Sequence, residues 1–486
     1  MSQGTLAQDL EGLLGVDRVV SDPLDLQCYS HDAGLHSMLH PQIPEAVVLP
    51  RSTQEVAAVV HFAAEHKIPV TPRGGASGQA GGCVASPGAI IIDSAAMNVV
   101  LDVDPGNLQA WVQSGISYTA LNAHLAPHDI YLPTSPSSGH ACTIGGMIAN
   151  NSCGPQSLKY GPTSHWVLGL EVVLPSGEVV ITGGERSRAK KSSSGLNLTQ
   201  LFVGSGGTLG FITAARLRLL PCPHARAAVL TAFADMNDGW SMVQEIRKAS
   251  VLPSAMEFEY PAPGTIAAAA EFRPAFEMPD PELVIIVELE GNEGSVSHEL
   301  RQVLEIAHRL AQRVEFADDP HGVAELWEAL DSVEGASSQV RTGAKRIPGG
   351  EDVSVPIPRM AEALLGLNAI VRRHGLGAVH FGHAAEGHIH TGLLVKPDDP
   401  AEVAEIEEAM REMHQLALDL GGSVTGEHGI GTARVEFMPL EHGAAYELMK
   451  TIKRAIDPDN IMNPGKIFPQ EPRTQNSEPR TDLRAR

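Results

Sequence analysis

Three glycine-rich stretches in the first half of the chain constrain it more than any other feature: Pro72–Gly82 (PRGGASGQAGG), Thr143–Gly154 (TIGGMIANNSCG) and Val203–Thr213 (VGSGGTLGFIT). Glycine lets backbone N–H groups converge on an anion and lets the chain approach a ligand closely. Long glycine-rich segments inside a compact domain are usually functional rather than connective. The first follows an apolar strand pattern, and Arg73 within it suits a pyrophosphate. It is neither a Walker A loop, since Gly-Lys-Ser/Thr is missing, nor a G-x-G-x-x-G opening a helix. A mononucleotide needs one such cradle; a large dinucleotide can use all three.

The rest of the chain is that of an ordinary globular enzyme. Its 486 residues are too many for one simple core and predict two or three domains. The 58 acidic against 35 basic residues give a net charge of −23, which disfavours nucleic acid and anionic lipid as partners. An anionic substrate then needs local positive charge working against that global field. No secretory signal or membrane-length apolar run is visible, so a cytoplasmic protein is expected, peripheral to a membrane at most through a partner. Five scattered cysteines (Cys28, Cys83, Cys142, Cys153, Cys222) fit neither a disulfide framework nor a zinc ribbon nor an iron–sulfur cluster.

Periodicity predicts strands near Pro44–Pro50, Ile68–Thr71, Ala89–Asp93, Leu108–Ser114 and Leu168–Leu174, with Ser52 and Glu55 opening a helix as a capping box. After Leu220-Pro221-Cys222-Pro223 the pattern becomes β-α-β-β-α-β, ending near Val314–Phe316, which predicts a ferredoxin-like second domain. The expected division is 1–222, 223–425, 426–469 and a polar, disordered tail from 470 to 486.

Two further motifs carry chemistry. In His380–His390 (HFGHAAEGHIH) four histidines fall within eleven residues. With Ala384–Gly387 as a hairpin loop, His383 faces His388 and His390 follows on the same side, within reach of one divalent ion. In Gly426–Gly431 (GEHGIG), Glu427 could complete such a site and His428 could serve as a general base near neutral pH.

Together these segments resemble the FAD-linked oxidases of the vanillyl-alcohol-oxidase (PCMH) type, in the branch of D-lactate dehydrogenases and the glycolate oxidase flavin subunit. The likeness runs from Pro44 to Phe468 and includes a closing segment, Asp457–Lys466 (DPDNIMNPGK). It implies an α+β chain: a two-lobed PCMH-type FAD-binding domain, then a cap with a ferredoxin-like antiparallel sheet. It implies FAD contacts from Arg73, Gly74, Gly75, Ala76, Ser77, Gly78 and Gln79 in the first loop. Ser137 ahead of the second loop, Thr143, Gly145, Gly146, Ala149, Asn150, Ser152 and Gly154 within it, Gly207 and Ile212 from the third, and Asn463 from the closing segment follow. It implies a zinc or manganese ion on His383, His390 and Glu427, with His428 as base. At His388 the family usually carries Asn or another non-His residue, which leaves His383/His388/His390, with Glu427 beside them, as an alternative set.

The substrate implied is a small D-2-hydroxy acid. An Arg that often follows a Trp such as Trp327 in relatives is replaced here by Glu328-Ala329-Leu330-Asp331, leaving Arg341, Lys345 and Arg346 as candidates for the substrate carboxylate. The first loop offers neither His nor Cys, so FAD is expected to be non-covalent, with Cys142 and Cys153 the nearby nucleophiles. Electrons are expected to pass to a quinone, a cytochrome or a separate iron–sulfur protein, and a homodimer is compatible with the family. The alternatives are an alcohol oxidase or non-redox flavoenzyme of the same fold, a metal hydrolase, which would leave the glycine loops unexplained, and a non-catalytic flavin subunit.

Overall fold

The computed structural model describes residues 5–185, 187–261, 281–337 and 341–469; the polar tail from 470 to 486 lies outside the described residues. Helices and three main sheets make an α+β chain, as expected. The first sheet runs β1 (Val19–Val20), β2 (Ala46–Val48), β4 (Ile90–Asp93), β3 (Val70–Arg73) in spatial order. β2, β4 and β3 are parallel, hence buried on both faces, and β2 and most of β4 are accordingly unbroken apolar runs. The helix Thr53–His66 crosses from β2 to β3, and its N-cap Ser52 accepts from the Glu55 N–H. The expected capping box forms only in half. The Glu55 carboxylate accepts instead from the Arg51 N–H (2.6 Å) and from Arg18 (3.1 Å).

The second sheet is antiparallel, in the order β5 (Val100–Asp104), β6 (Gln109–Gln113), β10 (Phe211–Arg218), β8 (Val167–Val173), β9 (Val179–Ile181). A short pair, β7 (Ile130–Tyr131) with β11 (Leu220–Pro221), closes this half. The first glycine loop leaves the C-terminal end of β3. The second opens the helix Ile144–Asn150, and the third leads into β10.

The third sheet contains β12 (Ala225–Phe233), β13 (Ala255–Tyr260), β14 (Leu283–Gly291), β15 (Arg313–Ala317), β16 (Lys345–Ser354), β17 (Gly377–His383) and β18 (His388–Val395). Its order is β15-β12-β14-β13-β17-β18-β16, antiparallel throughout. The first four strands with helices Met236–Lys248 and Glu293–Leu310 are the ferredoxin-like unit. The sheet does not stop there: the histidine hairpin β17–β18 continues it from β13.

Alternation along these strands decides what reaches the site. Met256 and Phe258 of β13 and Ile389, Leu393 and Val395 of β18 join the main core under helices Met360–Arg373 and Pro400–Asp419. Their neighbours Glu257, His388 and His390 therefore point to the opposite face. Over β12 and β14 that face is covered by Val323, Leu326, Leu330 and Val333 of the helix Pro320–Ser337. Over β13 it meets the short helix Ser157–Tyr160, and over β17 and β18 the glycine loops.

The closing segment ties the halves together. Val70 N donates to Ile461 O and Asn463 N to Val70 O, both at 2.7 Å, so this segment runs beside β3. Lys453, on the helix Ala444–Ile456, is buried and donates to Asp457, to Thr208 O and to Met462 O (both carbonyls at 2.8 Å). It therefore clamps the closing segment to the third glycine loop. Burial lowers the Lys453 pKa, and Asp457 opposes that shift. Lys453→Ala leaves the buried Asp457 carboxylate without its counter-ion, held only by the N–H groups of Ile461 and Met462, and is expected to cost about 3–5 kcal/mol in urea-unfolding measurements. Lys450→Ala, which breaks the pair with Glu447 and the ammonium's contact with the Tyr446 ring, both at partly exposed positions, is expected to change stability by about 1 kcal/mol or less.

Candidate active site

A cavity of about 400 Å³ opens between the glycine loops and the third sheet. Arg73, Gly74, Gly75, Ala76, Ser77, Gly78 and Gln79 line it, with Ser137, Thr143, Gly145, Gly146, Ala149, Asn150, Ser152, Gly207 and Ile212. The glycines are there for close approach: a Cβ on Gly75 would fall 1.8 Å from Ala141 O. Gly207 has φ +69°, a left-handed conformation that side chains resist. The third loop docks on the second through Gly204 N to Ile148 O and Gly206 N to Ala149 O, each 2.9 Å.

Two expected flavin contacts are not on this wall. A Cβ on Gly154 would lie 2.0 Å from Ser135 O, so this glycine serves backbone packing. Asn463 is buried, and its Nδ2 donates to Gly82 O (2.9 Å) and Gly206 O (2.7 Å). It braces the first loop against the third.

The imidazole cluster forms as the hairpin register predicts. Phe381 pairs with His390, and the loop lies between His383 and His388. Donor atoms of His383, His388, His390 and Glu427 all lie within 4.8 Å of one another. His390 Nε2 is 3.3 Å and His383 Nε2 3.8 Å from the Glu427 oxygens. A tetrahedral ion with bonds of about 2.1 Å sets its donors roughly 3.4 Å apart, so this triad fits a divalent ion. His383 Nε2 is moreover buried without a hydrogen-bond partner. His388 turns its Nε2 to Asp352, which leaves only Nδ1 for an ion. Glu427, His390 and His428 lie on the cavity wall.

Two carboxylates that sequence reasoning missed hold this arrangement. Glu257 of β13 accepts from His383 Nδ1 at 2.7 and 2.8 Å, aiming Nε2 at the cluster, as a carboxylate behind a ligating histidine does. Asp352 of β16 is fully buried. It accepts from the N–H groups of Gly426 (3.1 Å), Glu427 (3.2 Å) and His428 (2.8 Å), from Thr425 Oγ1 (2.5 Å) and from His388. Burial alone would raise its pKa, but the His428 and His388 rings hold it well below the usual carboxylate range. The signal in both cases was an acidic residue alternating with apolar ones in a buried strand: Glu257 in AMEFEY, Asp352 in EDVSV.

His428 stacks on His390, with centroids 5.1 Å apart. Burial lowers its pKa, so it is neutral at pH 7. Its Nδ1 faces Asp352 Oδ2 at 3.8 Å, and its carbonyl accepts from Asn150 of the second loop at 3.1 Å.

Of the three candidate substrate cations, the structure brings one to the cavity. Arg341 is turned away and paired with both Glu402 oxygens (2.7 and 2.8 Å) and with Leu394 O, so its expected substrate role is corrected. Lys345 is exposed at the start of β16 and is not on the wall, a second correction. Alternation puts Arg346 on the opposite face from Lys345, where it lines the cavity with its guanidinium 4.7 Å from the Phe381 ring. Among the described residues no helix is long and apolar enough to cross a membrane.

Two family models match the chain: the FAD binding domain over residues 44–183, and the C-terminal domain of FAD linked oxidases over 222–467. Among curated relatives, glycolate oxidase subunit GlcD of Bacillus subtilis is 31% identical, over 92% of this chain and 93% of its own. The mitochondrial D-lactate dehydrogenase [cytochrome] of Arabidopsis thaliana is 31% identical over 88% of this chain and 74% of its own. Among solved structures, p-cresol methylhydroxylase superposes with TM-score 0.77 at 20% identity, covering 95% of this chain and 96% of that one. The fold is thus that of the PCMH-type FAD oxidases.

Asp352→Ala removes the acceptor of several buried donors at once. It is expected to destabilise the protein by about 3–5 kcal/mol. Hydrogen exchange should quicken at the amides of Gly426–His428 while β12 and β14 keep their protection. Unchanged exchange in that loop would mean that something other than Asp352 holds it.

Proposed function

The chain belongs to the family of FAD-linked oxidases, and from that premise we propose that it oxidises a small D-2-hydroxy acid to the 2-oxo acid. The observation that carries the proposal is convergence: Glu427, His390 and His428 share one cavity wall with all three glycine loops. A sugar or alcohol oxidase of this fold has no need of a His/Glu cluster, and a metal hydrolase has no need of the glycine loops. The names of the relatives, a glycolate oxidase subunit and a D-lactate dehydrogenase, point the same way.

Bound in this cavity, FAD supplies the hydride acceptor, and a divalent ion, zinc or manganese, supplies Lewis acidity toward the substrate hydroxyl. His383, His390 and Glu427 would hold that ion, with Glu257 fixing the ring of His383. The glycine-loop N–H groups would receive the pyrophosphate, whereas the expected cation Arg73 is buried and donates instead to the carbonyls of Tyr29 (3.4 Å) and His31 (3.1 Å), where it holds the first loop. His428, neutral at pH 7, takes the hydroxyl proton as the C2 hydride departs, and Asp352 faces the imidazolium that results. Arg346 grips the substrate carboxylate and supplies positive charge in a chain of net charge −23. Burial raises the pKa of the Cys83 thiol to about 11 and raises those of Cys142 and Cys153 as well. Protonated thiols are poor nucleophiles, which favours non-covalent FAD. The proposed electron acceptor is a quinone, a cytochrome or a separate iron–sulfur protein.

Purified without chelator, the protein is expected to be yellow. Under anaerobic conditions its flavin band should bleach with one of glycolate, D-lactate or D-2-hydroxyglutarate, and not with L-lactate. His428→Ala should slow bleaching by about 10²–10⁴-fold with the spectrum of the oxidised flavin unchanged. A yellow protein that none of these acids bleaches would overturn the substrate class. Arg346→Ala is expected to raise KM for the acid at least about tenfold through loss of a charge-assisted contact, with FAD content unchanged. An unchanged KM would remove Arg346 from the substrate site.

A further inference from the structure

A second group of metal-type donors lies outside the cavity. His36 and His40 are one helical turn apart, on and just after the helix Leu35–Leu39. Glu407 faces them from the helix Pro400–Asp419 of the other half. His40 Nε2 is hydrogen-bonded to Glu407 Oε1 at 2.7 Å, and the two histidine rings have centroids 5.1 Å apart. One donor atom from each of the three lies within 4.8 Å of the others.

We propose that His36, His40 and Glu407 form a surface site for a divalent transition-metal ion that bridges the glycine-loop half of the molecule to the cap. Two imidazoles and a carboxylate are a ligand set for zinc and its neighbours, with water completing the shell. The donors need to close from at most 4.8 Å to roughly 3.4 Å, which exposed side chains do by small rotations. The ion replaces the hydrogen bond between His40 and Glu407, with His40 ligating through Nε2 as the neutral tautomer protonated on Nδ1. His36 is half-buried in this turn, which limits the positions its ring has to leave in order to ligate.

The backbone under the two histidines is already rigid, which lowers the entropic cost of binding. Asp32 Oδ1 accepts from Gly34 N (2.9 Å) and from Ser37 Oγ (2.6 Å), while Oδ2 accepts from Gly81 N at 2.7 Å in the first glycine loop. Ala33 N donates to Gly78 O (3.0 Å), and Leu35 sits in the main core of the cap. An ion here would lock the same turn that supports the first loop.

The test is a Zn²⁺ titration of the FAD-loaded protein by calorimetry, with thermal unfolding alongside. Wild type is expected to bind one more Zn²⁺ per chain than the His36→Ala/His40→Ala variant, and Zn²⁺ should raise the Tm of wild type by more. Glu407→Gln should weaken that extra site at least about tenfold, the scale on which even outer-shell partners act. His383→Ala/His390→Ala, altered in the cavity cluster, should keep it. Equal stoichiometry and affinity in wild type and the His36/His40 double variant would overturn the site. Unchanged affinity in Glu407→Gln would overturn the bridge between the two halves.

Discussion

The candidate site depends on one buried negative charge. Asp352 sits at a strand end of the cap sheet, yet most of what it binds belongs to a loop more than seventy residues later: the N–H groups of Gly426, Glu427 and His428 and the Thr425 hydroxyl. A carboxylate without partners in such a place would be strongly disfavoured. The loop is therefore drawn into a single conformation, and that conformation turns Glu427 toward the histidine hairpin. His428 is carried to the cavity in the same movement, its carbonyl secured by Asn150 from the second glycine loop. Three distant parts of the chain meet because each satisfies the polar groups of another.

How much of this was legible in the sequence follows from how local each signal is. The glycine loops, the hairpin that aligns His383, His388 and His390, and the β-α-β-β-α-β order depend on neighbours within a few to a few tens of residues, and they form as read. Glu257 and Asp352 were missed because their partners come from other strands and loops, and nothing adjacent to them announces a histidine or a loop to be held. The choice among Arg341, Lys345 and Arg346 was likewise non-local. It turns on which residue of a strand points inward and on Glu402, sixty-one positions away, capturing Arg341. Glu55 shows the same competition at small scale, since Arg51 N and Arg18 outbid the N-cap for its carboxylate.

The two halves also meet through Glu290 of β14, whose carboxylate accepts from Tyr160 at 2.5 Å and whose carbonyl accepts from Lys159. Both partners come from the glycine-loop half. With the partly exposed Arg226 paired to the same buried carboxylate, this contact is charged and geometrically demanding. Such a contact fixes orientation more than it adds stability. The cap is therefore set at a defined angle over the glycine loops, which donor distances of a few ångströms within the site require.

The strap that the closing segment lays beside β3 bears on how the protein is made. Asn463 joins Gly82 and Gly206 across as many as 381 residues of chain. At about 5–20 residues per second, a ribosome that has released the first glycine loop needs roughly 20–80 s to reach the residue that braces it. Throughout synthesis the nucleotide-binding half waits with one edge of its first sheet unpaired, and an open edge is an invitation to aggregate. The cavity that the glycine loops line is thus among the last parts of the molecule that translation can complete.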